Sequence, residues 1–176
     1  MKAYAVLTGV GPDRPGLVDE VSAFLAEREI NIEESRMAVL GGEFALVLLA
    51  AGDEKAMAEL PARLGEMGKA TGLEFSCKST RPPAQRPARP SLPYRLAAHS
   101  LDHPGIVHEI TRVLHDREVN IESLETHVAA APVSGTPVFS LVAALSVPAE
   151  AKTTQLRAEL EELADRFNLD IEFEPA

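Results

Sequence analysis

Two short stretches carry residue types that can recognise a small charged molecule. Residues 13–16 read Asp13, Arg14, Pro15, Gly16, and residues 102–105 read Asp102, His103, Pro104, Gly105. Each precedes a run with helical spacing of apolar residues. An Asp three residues before Gly16 can cap the helix by accepting the Gly16 N–H. A proline suits a first helical turn, where its missing donor would have no partner anyway. A glycine lets another group approach the backbone. The N–H groups of a helix start, with its dipole, accept a carboxylate. A clean helix start also accounts for every one of these residues, so both readings stand.

A second pair of polar positions follows. Asn31 and Asn120 each open a predicted strand. An amide both donates and accepts, so it can read an ammonium or a carboxylate. Asn is equally a common corner residue entering a strand. The fold read from the sequence is expected to bring each Asn near the loop of its own unit.

The two loops belong to a longer duplication. Asp13 and Asp102 lie 89 residues apart (102 − 13), and the same offset pairs Pro15 with Pro104 and Gly16 with Gly105. It also pairs Glu20 with Glu109, Leu25 with Leu114, and "REINIE" from Arg28 with "REVNIE" from Arg117. A gapless match over about twenty-five positions is an internal repeat.

Each copy has the same order of elements. "KAYAVLTG" alternates as a strand, and Leu17, Val21, Phe24 and Leu25 mark one face of a helix. "INIEESRMAVL" and "EFALVLLAA" flank Gly41 and Gly42, a hairpin signal. Met57, Leu60, Leu64 and Met67 mark a second helix, which Pro61 must kink or start. "LEFSCKS" closes the copy, and the second copy repeats the scheme with a longer hairpin, "AAAPVSGTP". The order is βαββαβ, twice. It predicts an α+β fold of two ferredoxin-like units, each an antiparallel sheet with helices on one face. Predicted boundaries are 1–80 and 94–176. The Pro- and Arg-rich residues 81–93 are expected to form an extended linker. The third strands are apolar at nearly every position, so both sheet faces are expected to be covered, either by the sister sheet or by a second chain. A homodimer is the reading preferred here.

Composition narrows the classes. The chain has 176 residues and a net charge of −10, which argues against gripping phosphate backbones or an anionic membrane. The single cysteine, Cys77, forms no internal disulfide and suits a reducing cytoplasm, as a small packed hydrophobe. No apolar run approaches the ~20 residues of a membrane span. His99, His103, His108, His115 and His127 lack the i, i+4 spacing of a helical metal site, and no glycine-rich phosphate loop is present. Neither a metal, a cofactor nor catalytic chemistry is expected.

The βαββαβ unit with Asp-x-Pro-Gly after its first strand resembles an ACT domain, a regulatory module. The tandem, and especially "NIEESRMAVLGGEFALVLLAAG" from Asn31, resembles the glycine cleavage system transcriptional repressor family over essentially the whole chain. The first copy carries the more specific likeness, whereas "DHPG" is general to ACT units. The resemblance implies a cytoplasmic, non-catalytic regulator that senses glycine or a similar amino acid. It implies action through a protein partner, a transcriptional activator, without direct contact to DNA. An alternative is a free-standing ACT subunit controlling an amino-acid or one-carbon enzyme, and a third is a scaffold with no ligand. Carried over residue by residue, the ligand set is Asp13, Arg14, Pro15, Gly16 and Asn31. The second set is Asp102, His103, Pro104, Gly105 and Asn120. Arg14 against His103 makes the two sets unequal.

Overall fold

The computed structural model describes residues 2–82, 89–132 and 134–176. The chain divides into two compact units. The first runs β1 (Lys2–Pro12), α1 (Leu17–Ala26), β2 (Asn31–Leu40), β3 (Glu43–Asp53), α2 (Glu54–Thr71) and β4 (Glu74–Thr80). The second runs β5 (Ser91–Leu101), α3 (Ile106–Asp116), β6 (Asn120–Ala130), β7 (Pro137–Pro148), α4 (Thr153–Phe167) and β8 (Asp170–Pro175). The order βαββαβ is therefore present twice.

Each unit is a four-stranded antiparallel sheet, in the orders β2-β3-β1-β4 and β6-β7-β5-β8. One sheet face packs on the two helices. In the first unit Leu7, Leu46 and Leu48 meet Leu17, Leu25, Leu60 and Met67. In the second, Leu96, Leu141 and Leu145 meet Ile110, Leu114, Leu156 and Leu160. Strand alternation presents these residues to one side, and the i, i+4 spacing of Leu17, Val21 and Leu25 presents the helix to match. Cys77 is half-buried against the first core, and burial pushes its thiol pKa up.

Local chemistry sets the corners. Gly41 and Gly42 both have positive φ, 62° and 88°, as a two-residue hairpin with the sheet's twist requires. Asp53 caps α2 by accepting from the Ala56 N–H at 2.6 Å. Pro61 neither starts nor ends α2, which begins at Glu54 and continues to Thr71. Its ring leaves the Met57 carbonyl without the usual i−4 donor.

Strand β5 begins at Ser91 and takes in the last three residues of the segment read as linker. Pro93 pairs with Ser146 of β7 on one side, while the pairing with β8 starts at Tyr94. A proline fits there because no ladder donor is needed from it. The rest of the predicted linker includes residues 83–88, which lie outside the described residues. The third strands carry apolar side chains on both faces. On the face away from the helices, Val47 and Val142 are 49% and 40% exposed.

Candidate functional site

The Asp-x-Pro-Gly loops are built by the same rules in both units. Each leaves the first strand at the hairpin end of the sheet. The Asp13 N–H donates to the Gly42 carbonyl at 3.0 Å, and the Asp102 N–H donates to the Pro137 carbonyl at 3.0 Å. The backbone of each aspartate is thus fixed to the neighbouring hairpin. Gly16 and Gly105 follow as helix N-caps with φ of 93° and 101°. This left-handed conformation, more than a close neighbour, calls for glycine, since a Cβ on Gly105 would meet nothing within 4 Å.

The expected side-chain cap is absent. Neither α1 nor α3 has one, and each helix begins one residue after the glycine, so Pro15 and Pro104 stand outside the first turn. The reason is the left-handed glycine, which becomes the cap itself. Its carbonyl accepts the first helical bond, from Glu20 N–H in one unit and from Glu109 N–H in the other, both at 3.0 Å. Asp13 and Asp102 are exposed, and their carboxylates bond to no described residue. Each loop therefore offers helix-start N–H groups beside an uncommitted carboxylate. The pair of charges matches the two ends of a free amino acid.

The second loop opens onto a recess of about 540 Å³, lined by Asp102, His103, Pro104, Gly105, Val128 and Phe139. Val128 is 49% exposed and Phe139 is buried, so the floor is apolar.

The two loops differ at their second residue. Arg14 forks onto Glu20, with bonds of 2.7 and 2.6 Å, and also donates to the Thr71 carbonyl at 3.1 Å. Thr71 ends α2, where carbonyls lack helical partners and attract cations. The buried Thr71 hydroxyl holds that end, donating to the Met67 carbonyl and accepting from the Leu73 N–H. The hydrogen bond from Arg14 keeps the Glu20 carboxyl below its usual range; desolvation opposes this and the opposite charge adds to it. His103 instead stacks on Phe167 at the end of α4, with ring centroids 5.8 Å apart and planes 21° from parallel. Its Nδ1 lies 3.2 Å from the Pro104 carbonyl. Glu109, the counterpart of Glu20, is held by Arg112 at 2.6 Å and Arg166 at 3.0 Å.

Asn31 and Asn120 do not join their own loops, contrary to expectation. Asn31 and Tyr4 both pair with Ala51, whereas Pro12 and Leu40 both pair with Glu43. The stretch from Tyr4 to Pro12 separates Asn31 from the loop by about 26 Å of strand. Asn120 stands level with Pro93 through Ser146, far from Leu101. The physical reason is α1, and α3 in turn, which returns the chain to the opposite end of the strands before the second strand starts. Each amide instead donates to a glutamate at a strand bulge, Asn31 to Glu33 at 3.1 Å and Asn120 to Glu122 at 2.6 Å.

Sequence reasoning passed over Glu20, Glu109, Thr71 and Phe167. The repeat had already paired Glu20 with Glu109. Phe167 reads as a core residue by its spacing, and Thr71 carries no signal. Among the described residues no three His, Cys, Asp or Glu side chains gather as metal ligands. None of their helices is long and apolar enough to cross a membrane.

Two βαββαβ units, each opening its first helix on an Asp-x-Pro-Gly loop, define a tandem of small regulatory modules. The chain belongs to the ACT-domain family, whose model matches residues 3–78 and 99–174. It is similar to the glycine cleavage system transcriptional repressor of Escherichia coli K12, 26% identical over 94% of this chain and 86% of that one. An unknown protein from Galdieria sulphuraria has a solved structure that covers 100% of this chain and 99% of its own. It is 27% identical, with a TM-score of 0.83. A UPF0237 protein of Lactococcus lactis is 35% identical over 40% of this chain and 82% of its own length. Of these three, the repressor alone has a stated role, and that role is regulatory.

Proposed function

We propose that this chain is a non-catalytic regulator that senses a small amino acid, glycine or one of similar size, and acts through a protein partner. The observation that carries the reading is the free Asp102 carboxylate beside the start of α3, above the recess of about 540 Å³. Helix N–H groups suit the ligand carboxylate, and Asp102 suits its ammonium. Similarity to the glycine cleavage system repressor over nearly the whole chain supports a role in transcription. The net charge of −10 favours control through a protein, specifically a transcriptional activator, over contact with DNA. The same charge suits a cytoplasmic protein.

Asn31 and Asn120 enter this reading only through a second chain. Strands β2 and β6 are sheet edges with unpaired backbone groups. Antiparallel pairing of β2 with its copy around Ser35 would set Glu34 opposite Arg36 twice. It would also carry each Asn31 to the end of the partner strand where the partner's loop lies. A homodimer of this kind completes the ligand set.

Two measurements test the proposal. Calorimetry of the full chain against each free amino acid is expected to give saturable heat for glycine or a near homologue. Affinity capture from lysate, with and without that amino acid, is expected to recover a DNA-binding activator. Recovery of a metabolic enzyme in its place would contradict the transcriptional role.

A further inference from the structure

We propose that the residue after each loop aspartate is a latch tying the loop to the end of the unit's second helix. The latch is firm in the first unit and weak in the second, so the second loop is the one free to rearrange.

In both units this residue reaches the same place. Arg14 reaches Thr71, the last residue of α2, and His103 reaches Phe167, the last residue of α4. The chemistry differs. Arg14 spans the gap with a guanidinium: two charge-assisted bonds to Glu20 on α1 and one to the Thr71 carbonyl. The loop, the first helix and the second helix are thus joined by one planar group, which holds bidentate geometry. His103 offers α4 only a ring stack; its contact with the adjacent Pro104 carbonyl has a counterpart in the bond from Arg14 to the Pro15 carbonyl. A stack at 5.8 Å between centroids slides at little cost, whereas a forked ion pair fixes direction.

The neighbouring carboxylates follow suit. Glu20 takes its arginine from the loop, while Glu109 takes Arg112 from its own helix and Arg166 from α4. Helices α3 and α4 are therefore bridged without the loop, and among the described residues no ion pair ties the loop down. Arg166 also lies over the Phe167 ring at 4.7 Å, steadying the surface on which His103 rests. The latch requires no bound ligand.

Amide hydrogen exchange of the full chain tests this. Two pairs of hydrogen-bonded amides occupy equivalent places: Asp13 with Asp102, and Glu20 with Glu109. After correction for local sequence, the second-loop amides are expected to exchange up to about fivefold faster, the range an exposed ion pair supports. Arg14→His is expected to bring Asp13 and Glu20 to the rates of Asp102 and Glu109, while Arg14→Lys falls between. Phe167→Leu is expected to speed Asp102 and leave Asp13 unchanged. Equal protection of the two loops, or unchanged exchange at Asp13 and Glu20 in Arg14→His, would overturn the proposal.

Discussion

Arg14 holds both carboxylate oxygens of Glu20, at 2.7 and 2.6 Å, across the first turn of α1. Its hydrogen bond draws the Glu20 carboxyl below the ordinary value, desolvation opposes, and the opposite charge reinforces. A carboxyl depressed in the folded state stabilises fully above the ordinary glutamate range, about pH 4.3. That stabilisation is lost as the pH falls through the folded value. The urea midpoint of the wild type is therefore expected to fall more steeply than that of Glu20→Gln from about pH 5 to pH 3. Parallel curves would show that the fork does not persist in solution. Glu33, lowered by Lys2 and then by Asn31, and Glu159, lowered by Arg117, act in the same direction and cancel in this comparison.

Glu29 and Glu118 follow the first helix of each unit with φ of 58° and 54°. A side chain in the left-handed region is strained, and glycine is not. Glu29→Gly is expected to raise unfolding free energy by roughly 0.5–1 kcal/mol, with the flexibility of glycine offsetting part of the relief. Glu118→Gly is expected to gain less, because Glu118 also pairs with Arg89 at 3.2 Å. Chemical denaturation of the two variants checks the order.

Leu114 is 1% exposed at the centre of the second core, against Leu141 and Leu160 among others. Leu114→Ala is expected to cost about 2–5 kcal/mol, through lost burial and the cavity left behind. A far smaller loss in the urea midpoint would mean that the core closes over the gap.

Pairing along the open edge of β2 gives the most specific prediction about assembly. Sedimentation is expected to show a dimer for the wild type. Arg36→Glu places like charges opposite one another in that pairing and is expected to raise the dimer dissociation constant about tenfold or more. A dimer unchanged by Arg36→Glu would move the interface elsewhere.

The elements were legible because their signals are local and repeated. Leu17, Val21 and Leu25 fix a helix face, Gly41 and Gly42 fix a hairpin, and the second copy confirms the reading of the first. The loops were legible as motifs but not as geometry. Asp13 spells a cap, yet the left-handed Gly16 takes that position, and no sequence period reports a backbone angle. Asn31 was misplaced for a topological reason: α1 runs back along the sheet, so β2 starts at the end of the strands opposite the loop. The docking of Arg14 on Thr71 spans 57 residues, beyond any spacing rule.

In the proposed function the helix starts after the two loops receive an amino acid. Its most direct test is a glycine titration of the full chain followed through backbone amide NMR signals. Saturable shifts are expected at residues 17–19 or 106–108, lost when Asp13 and Asp102 are both replaced by Ala. Shifts that leave both helix starts untouched, or no shift with glycine, alanine or serine at saturating concentration, would contradict it.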